Sequence, residues 1–416
     1  MSSRERTICF VAVAGSATFT QGLIADEIRR RFPETRIVVF DTEHFNTRTR
    51  SPVVWPTTGE IVKLSYKDAG LVNFTEGTRL PVKLNFAANG GGFALKRMIS
   101  RFRKIVRDTR PDVVVTCNDT FFVQLAVLRA AQLEGVPTAL VQEGPFCIVQ
   151  KEAGTHDRTL SQTVDRMARK LGLTPQHCAY GAGGHSLVLA ASEDYARRFA
   201  EIGIPETTIK VAGVPRFDAI EAIKRPPPAE PRLLYVFQPF VGQHKVSGEI
   251  FFPLLKEMAA GLNALHKRMP FEFVLRAHHR ADPVTFDFFA GLLDFPARED
   301  TSLPLPEALA NCTASIGHYS TGLIESVLVD RPVLCVPVPT EAFTDIAEGE
   351  KQDWFTKVGF LCATTARDIE LGLEAVLTGN CRHEPDISTE AYPTDGKAVA
   401  RAADAIIELL SPFSST

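Results

Sequence analysis

Short apolar runs alternate with amphipathic segments along most of the chain. The runs are rich in Val, Ile, Leu and Phe, and each ends at a Gly, Pro, Asn, Asp or other polar residue, which predicts buried strands. The segments between them repeat apolar residues at helical spacing, as in α/β proteins whose helices cover a parallel sheet. The predicted strands are Thr7 to Val13, Arg36 to Phe40, Asp112 to Thr116, Thr138 to Gln142, Ser186 to Ala190, Ile209 to Ala212, Leu233 to Phe237, Phe271 to Arg276, Thr313 to Ile316 and Val333 to Val336.

The predicted helices lie between and after these strands. Residues from Phe45 to Gly92 show neither the strand pattern nor the helical spacing of apolar residues, and they contain several Pro and Gly residues. We therefore predict an irregular insertion there. The helices are Thr20 to Arg31, residues 94 to 110, Ser192 to Ile202, Glu249 to Met269, Phe286 to Leu293, Leu305 to Ala310, a helix beginning at Ser320 and Thr321, Asp368 to Thr378 and Lys397 to Leu410.

The chain has 416 residues, a length that favours two domains over a single core. The sequence KRPPPAEP, from Lys224 to Pro231, is the clearest linker, because consecutive prolines favour an extended backbone. We therefore predict an N-terminal Rossmann-like domain at 1–223, a linker at 224–231 and a C-terminal Rossmann-like domain at 232–395. A C-terminal helix at 396–416 is expected to pack back towards the N-terminal domain.

Composition narrows the class of protein. Hydrophobic residues make up 45% and the formal net charge is −3, which fits a globular protein and argues against a dedicated nucleic-acid binder. No apolar run reaches membrane-spanning length. The eight cysteines include no CxxC pair, a pattern typical of reduced thiols rather than disulfides or a zinc site. We expect a cytoplasmic protein.

One predicted helix, at residues 94–110, is strongly basic. Its apolar residues form one stripe, and its six Lys and Arg residues lie elsewhere. Such a helix can dock on anionic lipid or an anionic acceptor, which would place the protein peripherally on the inner face of the membrane. The alternative is an ordinary solvated face of a packed helix.

The stretch from Ala314 to Pro337 predicts a strand, a loop, a helix, a turn and another strand. Ser320 and Thr321 are natural N-cap residues. A hydroxyl-rich helix N-terminus directly after a strand favours an anion, because free N–H groups and the helix dipole point at the same place. An ordinary capped βαβ unit remains the alternative.

In the first half, Glu143 and Gly144 directly follow a predicted strand. A carboxylate at the carboxyl end of a parallel strand is well placed to act as a general base, although a solvated loop Glu is the alternative. Gly15 and Ser16 follow the first strand and are candidates to line the cleft. The GxGxxG pattern is absent, so nothing specific favours NAD.

In the second half, polar residues follow three predicted strands. Because the carboxyl ends of parallel strands share one edge, we expect these side chains to converge. Arg and His beside a capped helix suit a phosphate, a Glu suits ribose hydroxyls, and His278 can protonate a leaving oxygen. The adjacent histidines point to opposite faces of a strand, so we predict no metal site. The group comprises Gln238, Gln243, Arg276, His278, His279, Arg280, His318, Tyr319, Ser320, Thr321 and Glu325, and all of these except Gln243, Arg280 and Tyr319 are candidate site residues.

Three stretches resemble bacterial surface-polysaccharide glycosyltransferases of the GT-B fold, which have two Rossmann-like domains with a cleft between them. They are ASEDYARRFAEIGIPETTIKVAGVPRFD, FVLRAHHRADP and SIGHYSTGLIESVLVDRPVL. The second resembles the R-P-H-P segment of sialyl-, polysialyl-, Kdo- and CDP-glycerol-type enzymes, with Ala277 and His279 in place of the prolines. Gln142-Glu143-Gly144 resembles their acidic motif, with Gln142 replacing the first acid. The UDP-GlcNAc 2-epimerases are a more distant resemblance.

The resemblance implies metal-independent transfer of a sugar from a CMP- or UDP-type nucleotide donor, such as a CMP-activated sialic acid or a Kdo-like sugar. The acceptor would be a surface glycan, a lipid-linked glycan or another hydroxyl, and no further cofactor is implied. It assigns Glu143 as the base, His278 and Arg276 to the leaving phosphate, Ser320 and Thr321 to phosphate, and Glu325 to the ribose. An epimerase-like isomerase and a non-catalytic GT-B binding module remain the alternatives.

Overall fold

The structure is a computed structural model of the chain. It describes residues 5–12, 16–42, 59–71, 84, 87–90, 92–120, 122–144, 180–241, 246–278, 283–338, 344–347, 350–381, 385–387 and 394–410. These residues form two compact units, referred to below as the N-terminal unit and the C-terminal unit. The N-terminal unit contains the described residues up to Asp218 and the helix near the C-terminus; the C-terminal unit begins at Ala219.

The N-terminal unit is built on a seven-stranded sheet in the order β3-β2-β1-β4-β5-β6-β7. All its strand pairs are parallel, as the apolar runs predict. The strands are β1 (Thr7–Ala12), β2 (Arg36–Asp41), β3 (Glu60–Lys63), β4 (Val113–Thr116), β5 (Thr138–Val141), β6 (Leu187–Ala190) and β7 (Ile209–Val211).

The helices of this unit pack on its buried strands. The described part of the predicted irregular insertion contains strand β3 and a short helix, which lacked a clear period in the sequence. The helices are α1 (Ser16–Arg31), α2 (Tyr66–Ala69), α3 (Gly92–Thr109), α4 (Phe122–Leu133) and α5 (Glu193–Glu201), with short 3-10 turns at Glu206–Thr208 and Pro215–Phe217.

The C-terminal unit repeats the same topology. Its six parallel strands lie in the order β10-β9-β8-β11-β12-β15. An antiparallel pair, β13 (Thr344–Ala347) and β14 (Glu350–Asp353), stands apart from this sheet. The sheet strands are β8 (Arg232–Val236), β9 (Glu272–Arg276), β10 (Arg298–Glu299), β11 (Ala314–Gly317), β12 (Val333–Cys335) and β15 (Leu361–Cys362).

Each sheet therefore has the strand order of a Rossmann-like fold, in which the chain reverses direction across the sheet after its third strand. The helices of the C-terminal unit are α6 (Ile220–Ile223), α7 (Gly248–Arg268), α8 (Pro283–Ala290), α9 (Leu305–Ala310), α10 (Thr321–Leu328), α11 (Trp354–Lys357) and α12 (Ala366–Leu377). Five of these helices lie where the helical period predicts them, within a few residues, and two four-residue helices, α6 and α11, were not predicted.

The predicted linker, Lys224 to Pro231, lies within the C-terminal unit. The Arg331 guanidinium donates a hydrogen bond to the backbone oxygen of Arg225 and a second one, 2.8 Å long, to that of Ala310. Lys224 forms an ion pair with Asp330. These contacts hold the proline-rich segment against the residues that end α10, so the chain passes between units at Asp218 and not within the linker.

The last described helix, α13 (Ala398–Glu408), belongs to the N-terminal unit. It lies against α1, and its residues Ala402, Ala403 and Ile406 are fully buried in the core of that unit. The Asp218 carboxylate accepts hydrogen bonds from the first N–H groups of the helix, Ala398 at 2.9 Å and Val399 at 2.8 Å. Asp218 thus caps α13 at the point where the chain leaves the unit.

Candidate functional site

The C-terminal unit brings several predicted residues to the edge where its strand order reverses, between β8 and β11. In open parallel sheets, this is where ligands bind. Val236, Arg276 and Gly317 occupy the same level on adjacent strands, because Val236 is the register partner of both Arg276 on β9 and Gly317 on β11. The residues that follow these strands therefore emerge at one edge of the sheet.

Ser320 is the N-cap of helix α10, as predicted. Its hydroxyl oxygen accepts a hydrogen bond of 3.1 Å from the Gly322 N–H. Gln238, which follows β8, donates from Nε2 to the same oxygen at 2.9 Å. The amide braces the serine from the neighbouring strand end, so the helix N-terminus is held in position at the reversal point. Thr321, the first residue of the helix, is half-buried.

Gly322 allows the helix to begin close to the sheet. A Cβ atom at this position would lie 3.0 Å from Val236 Cγ1 and 3.1 Å from Leu305 Cδ2. Both distances are shorter than ordinary van der Waals contact, so a larger residue would push the first turn of α10 away from β8.

The His318 side chain is not placed to bind a phosphate. Its side chain is fully buried. Nδ1 lies 2.9 Å from the Val336 carbonyl oxygen and Nε2 lies 2.8 Å from the Tyr235 hydroxyl. Since a carbonyl oxygen can only accept, Nδ1 carries the proton, and Nε2 accepts from the tyrosine.

Burial lowers the pKa of His318 to about 4. Around it lie the rings of Tyr235, Phe240 and Phe251. A neutral, buried imidazole with both nitrogens engaged cannot also bind a phosphate, so the predicted role of His318 is corrected: it ties together the ends of β8, β11 and β12 beneath Ser320.

Arg276 ends β9, and its side chain is half-buried. Partial burial lowers the pKa of its guanidinium, while the carboxylates of Asp300 and Glu325 act in the opposite direction. Its Nη1 atom is buried and has no hydrogen-bond partner among the described residues. A cationic donor left unsatisfied in this way is suited to an anionic ligand.

Glu325 lies one turn into α10 and is only 3% exposed. Its carboxylate is close enough to Arg276 to act on that guanidinium electrostatically. The structure therefore brings two of the predicted residues, from β9 and α10, into one electrostatic group. With Ser320 and Gln238 they form what we call the strand-edge site.

His278 follows β9 by two residues and is half-buried. It lies two positions after Arg276, the last residue of that strand. His279 lies outside the described residues.

In the N-terminal unit, Glu143 and Gly144 follow β5. Gln142 is fully buried between them and β6: its Nε2 donates to the Gly144 carbonyl at 3.0 Å, and its Oε1 accepts from the Ala191 N–H at 2.9 Å. Gln142 stands where the family pattern has its first acid. Its two hydrogen bonds fix the turn that carries Glu143.

Arg216 is a neighbour of Glu143 that the sequence did not indicate as a site residue. It is buried, and its Nε lies 3.1 Å from the Glu143 carbonyl oxygen and 3.5 Å from Glu143 Oε2. Its guanidinium also lies over the Phe217 ring, at 4.5 Å. The sequence contains one indication of a buried, functional Arg216: in the motif GVPRFD, an Arg stands among apolar residues.

Asp119 follows β4, where the strand order of the N-terminal unit reverses, yet it is fully buried. Its carboxylate accepts from the N–H groups of Gly181 and Gly183 at 3.0 Å and lies 3.2 Å from His185 Nε2. This carboxylate holds the glycine-rich turn before β6. Gly15 lies outside the described residues, and Ser16 begins α1.

No group of three or more His, Cys, Asp or Glu side chains suited to a metal ion occurs among the described residues. None of the six described cysteines is part of a disulfide. Within the same residues, every helix is too short or too polar to cross a membrane.

Neither family models nor curated proteins match the sequence. The fold, in contrast, matches solved structures along nearly the whole chain. A Listeria monocytogenes protein assigned as a UDP-N-acetylglucosamine 2-epimerase has a TM-score of 0.62 and 13% identity, over 97% of this chain and 96% of its own. The Neisseria meningitidis UDP-GlcNAc 2-epimerase, solved bound to UDP-GlcNAc, has a TM-score of 0.57 and 12% identity, over 97% and 100%.

The calicheamicin glycosyltransferase CalG4 has a TM-score of 0.55 and 18% identity, over 98% of each chain. Identities this low establish a shared fold and not a shared activity. The predicted fold class is confirmed: the chain consists of two parallel-sheet α/β units of the Rossmann-like kind, as in enzymes of the GT-B fold.

Proposed function

We propose that the protein acts on a nucleotide sugar and that its C-terminal unit binds the nucleotide diphosphate at the strand-edge site. The supporting observation is the Gln238–Ser320 hydrogen bond, which holds a capped helix N-terminus where the strand order reverses. Arg276, whose buried Nη1 has no hydrogen-bond partner among the described residues, supplies positive charge to the same edge. Backbone N–H groups, a helix dipole and a guanidinium together favour a diphosphate.

Glycosyl transfer is the reaction we place first. In this step an acceptor hydroxyl attacks the anomeric carbon, its proton passes to the Glu143 carboxylate, and the bond between the anomeric carbon and the phosphate oxygen breaks. The electron pair remains on the nucleotide phosphate, whose charge Arg276 stabilises, and His278 is the candidate to protonate that oxygen. A single base suits this reaction, and Asp119, another acid that follows a strand of the N-terminal unit, is committed to a buried turn.

Epimerisation of a UDP-sugar is the second candidate. The similarity in fold to UDP-GlcNAc 2-epimerases favours it. The same similarity leads us to place a UDP-type donor ahead of a CMP-type one. Both reactions use a bound nucleotide diphosphate, so they share the strand-edge site and differ in what happens to the sugar.

The first experiment is a thermal-shift panel with UDP, CDP, CMP and GDP. A nucleotide at a hundredfold excess over its Kd stabilises a protein by about 2.7 kcal/mol, so binding gives a clear shift. The absence of a shift with every nucleotide would contradict the proposal.

The second experiment separates the two reactions. UDP-GlcNAc is incubated with the protein in D2O without acceptor and followed by NMR. Transfer predicts an unchanged sugar until an acceptor hydroxyl is supplied, followed by release of UDP. Epimerisation predicts a second nucleotide sugar carrying deuterium at the inverted carbon.

A further inference from the structure

The outward face of helix α3 carries a concentrated positive charge in a protein whose formal net charge is −3. Between Gly92 and Thr109 there are six Lys and Arg residues and one acid, Asp108. We propose that this face binds the protein to a membrane surface of anionic phospholipid. This inference goes beyond the proposed reaction and does not depend on it.

The apolar stripe of α3 is not the surface that would contact lipid. Ala94, Met98, Phe102 and Val106 are fully buried in the core of the N-terminal unit. The helix therefore cannot insert an apolar face between lipid headgroups, as the sequence pattern alone would allow. Contact has to come from the opposite, charged face, whose exposed residues are Phe93, Lys96, Arg97, Ser100, Arg101, Lys104, Arg107 and Asp108.

Two lysines on this face have charges that are available to a ligand. Lys96 and Lys104 make no ion pair with any described residue, and the only described contact of the Lys96 ammonium is with the Phe93 ring, at 5.8 Å. Arg103, at the side of the helix, and Arg107 both lie near Glu134, and Arg97 donates a hydrogen bond to the Asn89 carbonyl oxygen. Asp108 is the single exposed acid on the helix.

Phe93, at the start of this helix, is an exposed apolar side chain, and so is Leu84, nine residues earlier in the sequence. Phe93 is 65% exposed and Leu84 is 61% exposed, the highest values for large apolar residues described in the N-terminal unit. An aromatic ring beside several lysines and arginines matches the membrane interface, where rings sit at the headgroup level and ammonium groups meet phosphate.

The expected binding is electrostatic and of moderate strength. Each Lys or Arg near an anionic bilayer raises the partition coefficient by about fivefold, an effect that falls off within a Debye length. Binding should therefore require anionic lipid and weaken as salt is raised.

The test is co-sedimentation of the full chain with phosphatidylcholine vesicles that contain or lack 30% phosphatidylglycerol. The Lys96→Glu, Lys104→Glu double variant should lose at least about 25-fold in partitioning, since two favourable contacts become repulsive. The matched control is Lys256→Glu, Lys267→Glu, which makes the same charge change on the exposed face of α7 in the C-terminal unit and should keep most of the binding.

Three results would overturn the proposal: equal binding to vesicles with and without phosphatidylglycerol, equal losses in the two double variants, or binding to a homopolymer RNA without binding to vesicles. Both variants should show the circular dichroism of the wild-type protein. Their thermal shifts with nucleotide should also be unchanged, so that failure of the nucleotide proposal and failure of this one are distinguishable.

Discussion

Gln238 and Ser320 come from different strand ends, 82 residues apart in the chain, and meet in a hydrogen bond of 2.9 Å. Ser320 at the same time accepts the N–H of Gly322. The serine is therefore fixed twice, once by its own helix and once by the adjacent strand. This arrangement makes the start of α10 a rigid part of the C-terminal unit, and the stability and ligand affinity of that unit should both respond to it.

Replacing Ser320 by Ala should destabilise the C-terminal unit by about 1 kcal/mol, the usual effect of losing an N-cap. It should also weaken nucleotide binding, because the hydroxyl and the oriented N–H groups belong to the strand-edge site. Thr365 provides the matched control: it caps α12 in the same unit, accepting from the Asp368 N–H. Thr365→Ala should cost similar stability in urea denaturation and leave nucleotide affinity unchanged. If both variants bind nucleotide with the same affinity, Ser320 does not belong to the binding site.

Arg276→Gln should weaken nucleotide binding by about 10- to 100-fold, the effect of losing a charge-assisted hydrogen bond. No hydrogen bond of Nη1 is lost, because this atom has no described protein partner, so the effect on stability is limited to the weaker compensation of the buried Glu325 carboxylate. Arg298→Gln is the control, since this arginine lies on the adjacent strand β10 and is already paired with Glu272 and Asp300. Isothermal titration with UDP measures the difference, and an Arg276→Gln protein with wild-type affinity would contradict the assignment.

Gly322→Ala should reduce nucleotide affinity although Ala is the better helix former. The added Cβ would meet Val236 and Leu305 at about 3 Å, so the first turn of α10 has to shift. Gly291, after α8, is the comparison: a Cβ there would approach only backbone oxygens, the nearer at 3.3 Å. Calorimetric titration of the two alanine variants checks this, and unchanged UDP binding by Gly322→Ala would show that the close approach is not needed.

His318 should make the protein less stable in mild acid. Its pKa in the folded state is about 4, below the value of about 6.5 for an unfolded histidine. The folded state keeps this ring neutral while the unfolded state takes up a proton, so stability is complete above pH 6.5 or so and is lost as the pH falls towards 4, by up to about 3 kcal/mol.

His318→Gln should flatten this part of the dependence, because a Gln cannot take up the proton. Urea denaturation at several pH values between 7.5 and 4.5 measures the slope. His266→Gln is the control, at a half-buried ring stacked on Phe295 outside the strand-edge site. If the wild-type and His318→Gln slopes coincide, His318 is not held neutral by the fold.

Arg216→Gln should lower the turnover number by about 10- to 100-fold, because small displacements of a catalytic group have effects of this size. Nucleotide affinity should be unchanged, since the described contact of Arg216 is with Glu143 in the N-terminal unit. In a Glu143→Gln background the same change should add little further loss. Independent, multiplying losses in the double variant would show that Arg216 acts by some route other than Glu143.

The alternation of apolar runs and helical periods was sufficient to predict two Rossmann-like units, because strands buried on both faces leave a strong signal. The role of Ser320 as an N-cap was equally accessible, since a Ser between a strand and an apolar helical period has few other uses. Strand β3 and the two-residue strands β10 and β15 were not predicted. These strands are too short, or too polar at their exposed edge, to show a periodic pattern of hydrophobic residues in the sequence.

His318 shows where residue types alone mislead. A histidine in a polar loop after a strand looks like a ligand, and only the surrounding aromatic rings reveal that it is buried. Arg216 shows the opposite case. It stood in an apolar motif that marked the end of a domain, and its relation to Glu143 depends on a contact over 73 residues that no local pattern encodes.

The capping of α13 by Asp218 has a consequence for how the protein is made. The N-terminal unit needs Ala402, Ala403 and Ile406 to complete its core. These residues leave the ribosome only after the roughly 170 residues of the C-terminal unit have been made. At ordinary translation rates, this delay is about 10 to 35 s. During that interval the face of α1 that α13 covers stays open to the solvent and to chaperones. The second Rossmann-like unit can fold first, although its sequence comes later.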